Sequence, residues 1–223
     1  VITLPDSIAW LLNIRGSDVA HNPVPHAFAI LHADATVTLF IDPAKTTDLG
    51  DHLGGMVTCR LPEDFEGALQ ALAGPVQIDP ASCPVAVTDA LAAEVIEAGD
   101  PCILPKARKT AAELQGARDA HLRDGAAMVR FLSWLDAQAP GTVTEIDVVT
   151  RLEAERAATN ALRDISFDTI SGSGPNGAIV HYRVTEGTSR TLQEGDLMLV
   201  DSGGQYVDGT TDITRTMPVG DPG

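Results

Sequence analysis

The sequence predicts an α/β (α+β) protein of two domains, 1–104 and 105–223. Three observations carry that expectation. Apolar runs of strand length alternate with helical patterns from Val1 to Leu104, a segment with two prolines interrupts them at Pro101 to Pro105, and two capped helices then precede a series of strands. At 223 residues the chain is long enough for one large or two ordinary domains, each with its own buried core.

In the first domain Ile8 to Ile14, Ala27 to Leu31 and Val37 to Ile41 are short apolar runs. Phe65 to Ala73, Val76 to Ile78 and Ala86 to Ala98 continue the alternation, which gives a mixed sheet with helices. Pro101 to Pro105 reads as a stiff extended connector. Beyond it, Thr110 followed by Glu113 is a capping-box signature, in which the hydroxyl accepts from a free backbone N–H and the carboxylate reaches back to the threonine N–H. Leu114, Ala117, His121, Met128, Leu132 and Leu135 supply a helical stripe to about Ala137. Thr144, with Glu145 and Asp147, starts a second helix running to about Asn160. The GSGPNG stretch, Gly172 to Gly177, is turn chemistry. It is no phosphate loop, because it lacks the lysine and hydroxyl residue of that motif and leads into a strand pattern, Ala178 to Tyr182, that carries His181.

The segment Leu199 to Thr216, LVDSGGQYVDGTTDITRT, delivers Asp201 at the end of one apolar run and Asp212 at the start of another. Carboxylate oxygens are hard ligands suited to magnesium, calcium or manganese, and a facing pair can hold two divalent ions. Pairing decides whether they face. A two-residue turn at Asp208-Gly209 pairs Gln205 with Asp212 and leaves Asp201 four residues, roughly 13 Å, along the ladder. Pairing centred near Tyr206-Val207 sets Asp201 opposite Asp212, with β-carbons about 5 Å apart, and this second register is the expected one. Without it, Asp201 simply ends a strand and Asp212 is a solvated turn residue.

With 15 Lys and Arg against 31 Asp and Glu, the net charge of −16 repels phosphate backbones and anionic membranes, which disfavours nucleic-acid or membrane-surface partners. No run approaches the roughly 20 apolar residues of a membrane span. The first residues lack a basic leader and a cleavage site. Cys59, Cys83 and Cys102 have no CxxC spacing and read as reduced thiols in a cytoplasmic setting. His21, His26, His32 and His52 show no paired spacing for a metal, and His121 reads as a helix-face residue. Arg15 and Asp18 in the RGSD loop read as a local ion pair.

The stretch VDSGGQYVDGTTDITRTMPVG, Val200 to Gly220, resembles the first metal-binding hairpin of the Xaa-Pro aminopeptidases (aminopeptidase P). These belong to the pita-bread metallohydrolases, with prolidase, methionine aminopeptidase and creatinase. Ile8 to Pro23 resembles the opening strand and loop of the middle domain in longer members. Lys106 to Leu135 is similar to the linker and first catalytic-domain helix, and Ile165 to Tyr182 to the loop and strand with a substrate-contacting histidine. The resemblance implies a creatinase-type middle domain followed by a truncated pita-bread catalytic domain. It also implies two divalent ions, manganese, with Asp201 on one and Asp212 bridging both, and His181 beside the substrate.

The implied reaction is hydrolysis of the bond between an N-terminal residue and a following proline, in a cytoplasmic homodimer whose partners are peptides with proline second. Arg15 and Asp18 would then border the substrate cleft. The family also needs a histidine and two glutamates from later strands. The chain therefore reads as cut at both ends, and this piece is expected to bind metal poorly and to be inactive. Two other readings are a non-catalytic pita-bread module that binds peptides or proteins, and a prolidase- or creatinase-like hydrolase.

Overall fold

The computed structural model describes residues 1–221 and 223. It divides into two units, Val1–Lys109 and Thr110–Gly223.

In the first unit β1 (Phe28–Leu31) pairs antiparallel with β2 (Val37–Phe40), and β2 pairs in parallel with β3 (Val57–Arg60), giving the expected mixed sheet. Alternate residues of β1 and β2 feed opposite faces. Ala29, Val37, Leu39 and Ile41 pack with Ile2, Ile8, Ile14 and Cys102, whereas Ile30 and Phe40 pack with Phe65, Leu69 and Val87. The remaining elements are α1 (Pro5–Leu11), α2 (Gly50–Leu53), α3 (Phe65–Gln70), β4 (Val76–Ile78), α4 (Val85–Ala90), β5 (Val95–Glu97) and α5 (Ile103–Ala107). β4 and β5 form a separate parallel pair.

Several local expectations are corrected here. The apolar run from Ile8 belongs to helix α1, because Pro5 occupies its first turn, where a missing N–H costs nothing, and Asp6 favours that end. Ala86 to Ala98 is not one helix; α4 stops at Ala90 and the chain re-emerges as β5. Pro101 to Pro105 is not an extended connector. Asp100 accepts the Cys102 N–H at 2.7 Å, Cys102 is buried in the first core, and Pro105 falls in the first turn of α5, where proline is tolerated. The first unit therefore runs five residues past the expected boundary. Arg15 and Asp18 do not pair with each other: Asp18 bonds Lys45 at 2.6 Å and the His26 N–H, and Arg15 donates to the carbonyls of Ala9 and Ile14. All three cysteines are free thiols, with that of buried Cys102 pushed up to about 11, mainly by burial.

The second unit opens with α6 (Ala111–Asp136) and α7 (Glu145–Ala157). The expected capping box forms at Thr110 with Glu113, and Thr144, expected to start the second helix, forms another with Asp147. The buried face of α6 is Ala120, Asp124, Ala127, Met128 and Phe131, rotated from the expected stripe, and Leu114 is exposed. A charged residue at the stripe's centre explains the difference: Asp124 is buried because Arg156 of α7 meets it through Nε at 2.7 Å and Nη2 at 3.2 Å. Met128 and Phe131 pack with Val148, Leu152, Met198 and Val200.

The strands that follow are β6 (Leu162–Ile165), β7 (Ile170–Ser173), β8 (Leu197–Ser202), β9 (Gly204–Tyr206) and β10 (Ile213–Pro218). β8 lies between β7 and β10, antiparallel to both, and β6 pairs with β9. Among the described residues no helix is long and apolar enough to cross a membrane.

Candidate metal centre

The hairpin carrying the two aspartates takes neither register weighed from the sequence. Asp201 faces Thr214, Ser202 faces Ile213 and Gln205 faces Thr210, so the ladder closes on Val207-Asp208, where the Tyr206 N–H donates to the Gly209 carbonyl at 2.8 Å. Long-range anchoring sets this turn. Arg123 of α6 grips the Asp208 carboxylate with two bonds of 2.9 Å and lies over the Tyr206 ring at 5.3 Å. Gly116 admits the Asp208 carbonyl, since a β-carbon there would lie 2.4 Å from that oxygen. A β-carbon on Gly209 would lie 3.2 Å from Ala117 and Ala120. Gly209 therefore serves close approach to the helix rather than the tip of a turn.

Asp201 and Asp212 are thus diagonal neighbours, a relation that puts side chains on one face about 7–8 Å apart at the backbone and leaves them able to meet. They do meet. Burial first, then the charge and hydrogen bond of Asp201, hold the Asp212 carboxyl above its ordinary value. Thr214 Oγ1 donates to Asp201 Oδ1 at 2.7 Å, which orients that carboxylate. Both line a cavity of about 330 Å³ with Phe167, Asp168, Ile170, His181 and Arg183.

His181 reaches this cavity by a route that differs from the expected strand. The chain leaves β7, makes a short 3₁₀ turn, Gly174–Ala178, and places His181 in a turn at φ 54°. A histidine there is uncommon, and its neighbours must hold it. Fully buried Glu145, the first residue of α7, does so by accepting from Ser173 N and Oγ, Asn176 Nδ2, the Tyr182 hydroxyl and Arg190 N, at 2.6 to 3.2 Å. A carboxylate ringed by neutral donors is satisfied without a cation.

The three residues singled out from the sequence, Asp201, Asp212 and His181, therefore share one cavity. Sequence reasoning missed Asp168 and Arg183, which form an ion pair beside it, and Glu145, whose N-terminal helix position concealed its role as a loop clamp. The other histidines stand apart: His32 bonds Thr38, His52 bonds the Leu12 carbonyl, and His121 bonds the Ala117 carbonyl on an exposed face. Among the described residues no group of three or more His, Cys, Asp or Glu side chains is gathered for a metal.

Residues 1–113 match the family model of the creatinase/prolidase N-terminal domain, and residues 115–223 that of metallopeptidase family M24. The chain belongs to the creatinase/prolidase group of M24 metallopeptidases. Over its whole length it is 41% identical to a probable Xaa-Pro aminopeptidase P of Laccaria bicolor and 38% identical to aminopeptidase P2 of Arabidopsis thaliana. It spans 36% of the length of each. The X-prolyl aminopeptidase of Caenorhabditis elegans, described as a cytosolic enzyme with a di-nuclear active site, superposes on 99% of this chain with a TM-score of 0.85 at 28% identity. The match covers 38% of that protein.

Proposed function

We propose that this chain is part of a metal-dependent Xaa-Pro aminopeptidase, which hydrolyses the bond between an N-terminal residue and a following proline. The observation that carries the reading is the convergence of Asp201, Asp212 and His181 on one cavity, in a chain that resembles such enzymes along its whole length. The donor set fits a divalent cation: two hard carboxylates line one cavity, and their mutual repulsion is relieved by positive charge. Asp201 and Asp212 would be two of the residues that hold two divalent ions, manganese in our reading. Such cations supply Lewis acidity at neutral pH.

The chain's own residues supply the geometry. Thr214 fixes the Asp201 carboxylate through one oxygen and leaves the other without that bond. His181 holds and orients the substrate's scissile carbonyl, and Phe167 and Ile170 give the cavity an apolar wall. We further infer peptides with proline at the second position as substrates, a cytoplasmic setting and a homodimer.

The test is hydrolysis of an Xaa-Pro tripeptide by the protein that carries this chain, after chelation and readdition of manganese. Asp212→Asn abolishes turnover and leaves the circular dichroism spectrum unchanged. Activity retained by that variant would remove Asp212 from the site.

A further inference from the structure

Asp212 lies outside the paired residues of β10, so the strand ladder alone does not hold it. The residue before it, Thr211, is 1% exposed and every polar group it carries is engaged. Its N–H donates to the Gly204 carbonyl at 2.9 Å, its carbonyl accepts from Ser166 Oγ at 2.9 Å, and its hydroxyl oxygen accepts from Gly204 N at 3.0 Å. The same hydroxyl contacts the Gly204 carbonyl at 3.5 Å, so both of its bonds run to one residue of β9. Gly203 is shaped for this arrangement: a β-carbon there would lie 1.9 Å from the Thr211 carbonyl oxygen and 2.3 Å from Ser166 Oγ.

Asp124 holds the other end of β9. Its Oδ1 accepts from Arg156 Nε and from the Tyr206 hydroxyl, both at 2.7 Å. Burial pushes the Asp124 carboxyl up, but the Arg156 and Tyr206 donors outweigh it and hold the group charged. Burying an ion pair gains little stability over apolar residues of the same volume. Here the pair joins two helices and holds the first arm of the hairpin through Tyr206.

We propose that Thr211, fixed by Ser166 and by Gly204 of the β9 strand whose Tyr206 bonds the buried Asp124–Arg156 pair, is the positioning residue that sets Asp212 against Asp201. This rests on the metal-site reading above. A positioning group that does not touch the ion still controls affinity, because the ligand must be held in place before the metal arrives; loss of such partners costs about 10–100-fold.

The test uses the 223-residue chain and manganese chloride alone. Paramagnetic broadening of amide signals during titration reads weak binding, and thermal melting is followed in parallel. The wild type shows broadening centred on the Asp201 and Asp212 strands that Asp212→Asn removes. Absence of that difference overturns the metal-site reading itself. Thr211→Val is expected to weaken manganese at least tenfold, with Thr211→Ser restoring affinity to within about threefold of wild type. Wild-type affinity in Thr211→Val, when the Asp212→Asn control has worked, overturns the positioning role. Should Thr211→Val also lower the melting temperature, Ser166→Ala decides, since it frees only the Thr211 carbonyl. Weaker binding at unchanged melting supports the role, and unchanged binding refutes it.

Discussion

Asp124→Leu is expected to be among the most damaging single changes in the second unit. It leaves the Arg156 guanidinium, which is 0% exposed, without its carboxylate, and Nη1 of that group already lacks a partner. It also strands the Tyr206 hydroxyl. Breaking a buried pair by removing one member costs about 3–5 kcal/mol. The double variant Asp124→Leu/Arg156→Met removes the uncompensated charge, so that chiefly the orphaned hydroxyl remains, worth about 1–3 kcal/mol. The second change thus recovers about 2 kcal/mol when added to the first.

Urea unfolding measures this if the two units are told apart. Of the two tryptophans, Trp10 packs in the first unit and Trp134 in the second, so a Trp10→Phe background leaves Trp134 as the reporter. With a slope of about 2 kcal/mol/M, the single variant's midpoint falls by about 2 M. A loss below about 1 kcal/mol, or a double variant as unstable as the single, would refute the claim that this pair is buried, bonded and coupled.

Three further outcomes are expected. Two glycines of α6 should respond in opposite senses: Gly125→Ala meets nothing within 4 Å and gains helix propensity, raising stability by about 0.5–1 kcal/mol. Gly116→Ala collides with the Asp208 carbonyl and loses about 1–3 kcal/mol; equal melting temperatures would contradict the close approach. Glu145→Gln replaces one carboxylate oxygen by an NH2 group, which then opposes either the Ser173 N–H, bound to Oε1, or the Arg190 N–H, bound to Oε2. Hydrogen exchange at one of those two amides should quicken at least tenfold, and unchanged protection at both would deny Glu145 its clamp.

The third concerns pH. Hydrogen bonding to Arg123 holds Asp208 below its ordinary value, and Asp124 is also depressed. Their stabilisation is complete above about pH 4 and lost as pH falls through the folded values, so Asp208→Asn flattens the acid limb of melting temperature against pH. Asp212, raised by burial and Asp201, has the opposite sign: Asp212→Asn stabilises at pH 7, and the gain vanishes once acid protonates the native carboxyl. A gain that persists in acid would argue against the repulsion.

What the sequence made legible was local or alternating. Thr110 with Glu113 and Thr144 with Asp147 announced both long helices, because a capping box is complete within four residues. The strands Phe28–Leu31 and Val37–Phe40 showed as apolar runs because both their faces are buried. β3 did not, since three of its four residues are exposed. The hairpin register was hidden, because it is set by Arg123 and Gly116, distant in sequence from Asp208. Asp124 interrupted the apolar stripe of α6, and only the arginine on the next helix explains its burial. The His181 turn was misjudged for a similar reason: Ile179 and Val180 suggest a strand, but the buried carboxylate of Glu145 dictates the path of the chain.

The two-residue turn at Val207-Asp208 makes the centre sensitive to the parity of any length change at the hairpin tip. One residue inserted there, if the turn keeps its size, would slide one arm by a single step and carry the Asp212 side chain through the sheet to its opposite surface, away from Asp201. Two residues would return it to the same surface in a longer hairpin, but the Asp208 anchor would no longer meet Arg123. In lineages of this chain, length variation should therefore collect in loops elsewhere and spare this tip, where even a tolerated insertion would need a compensating change on α6.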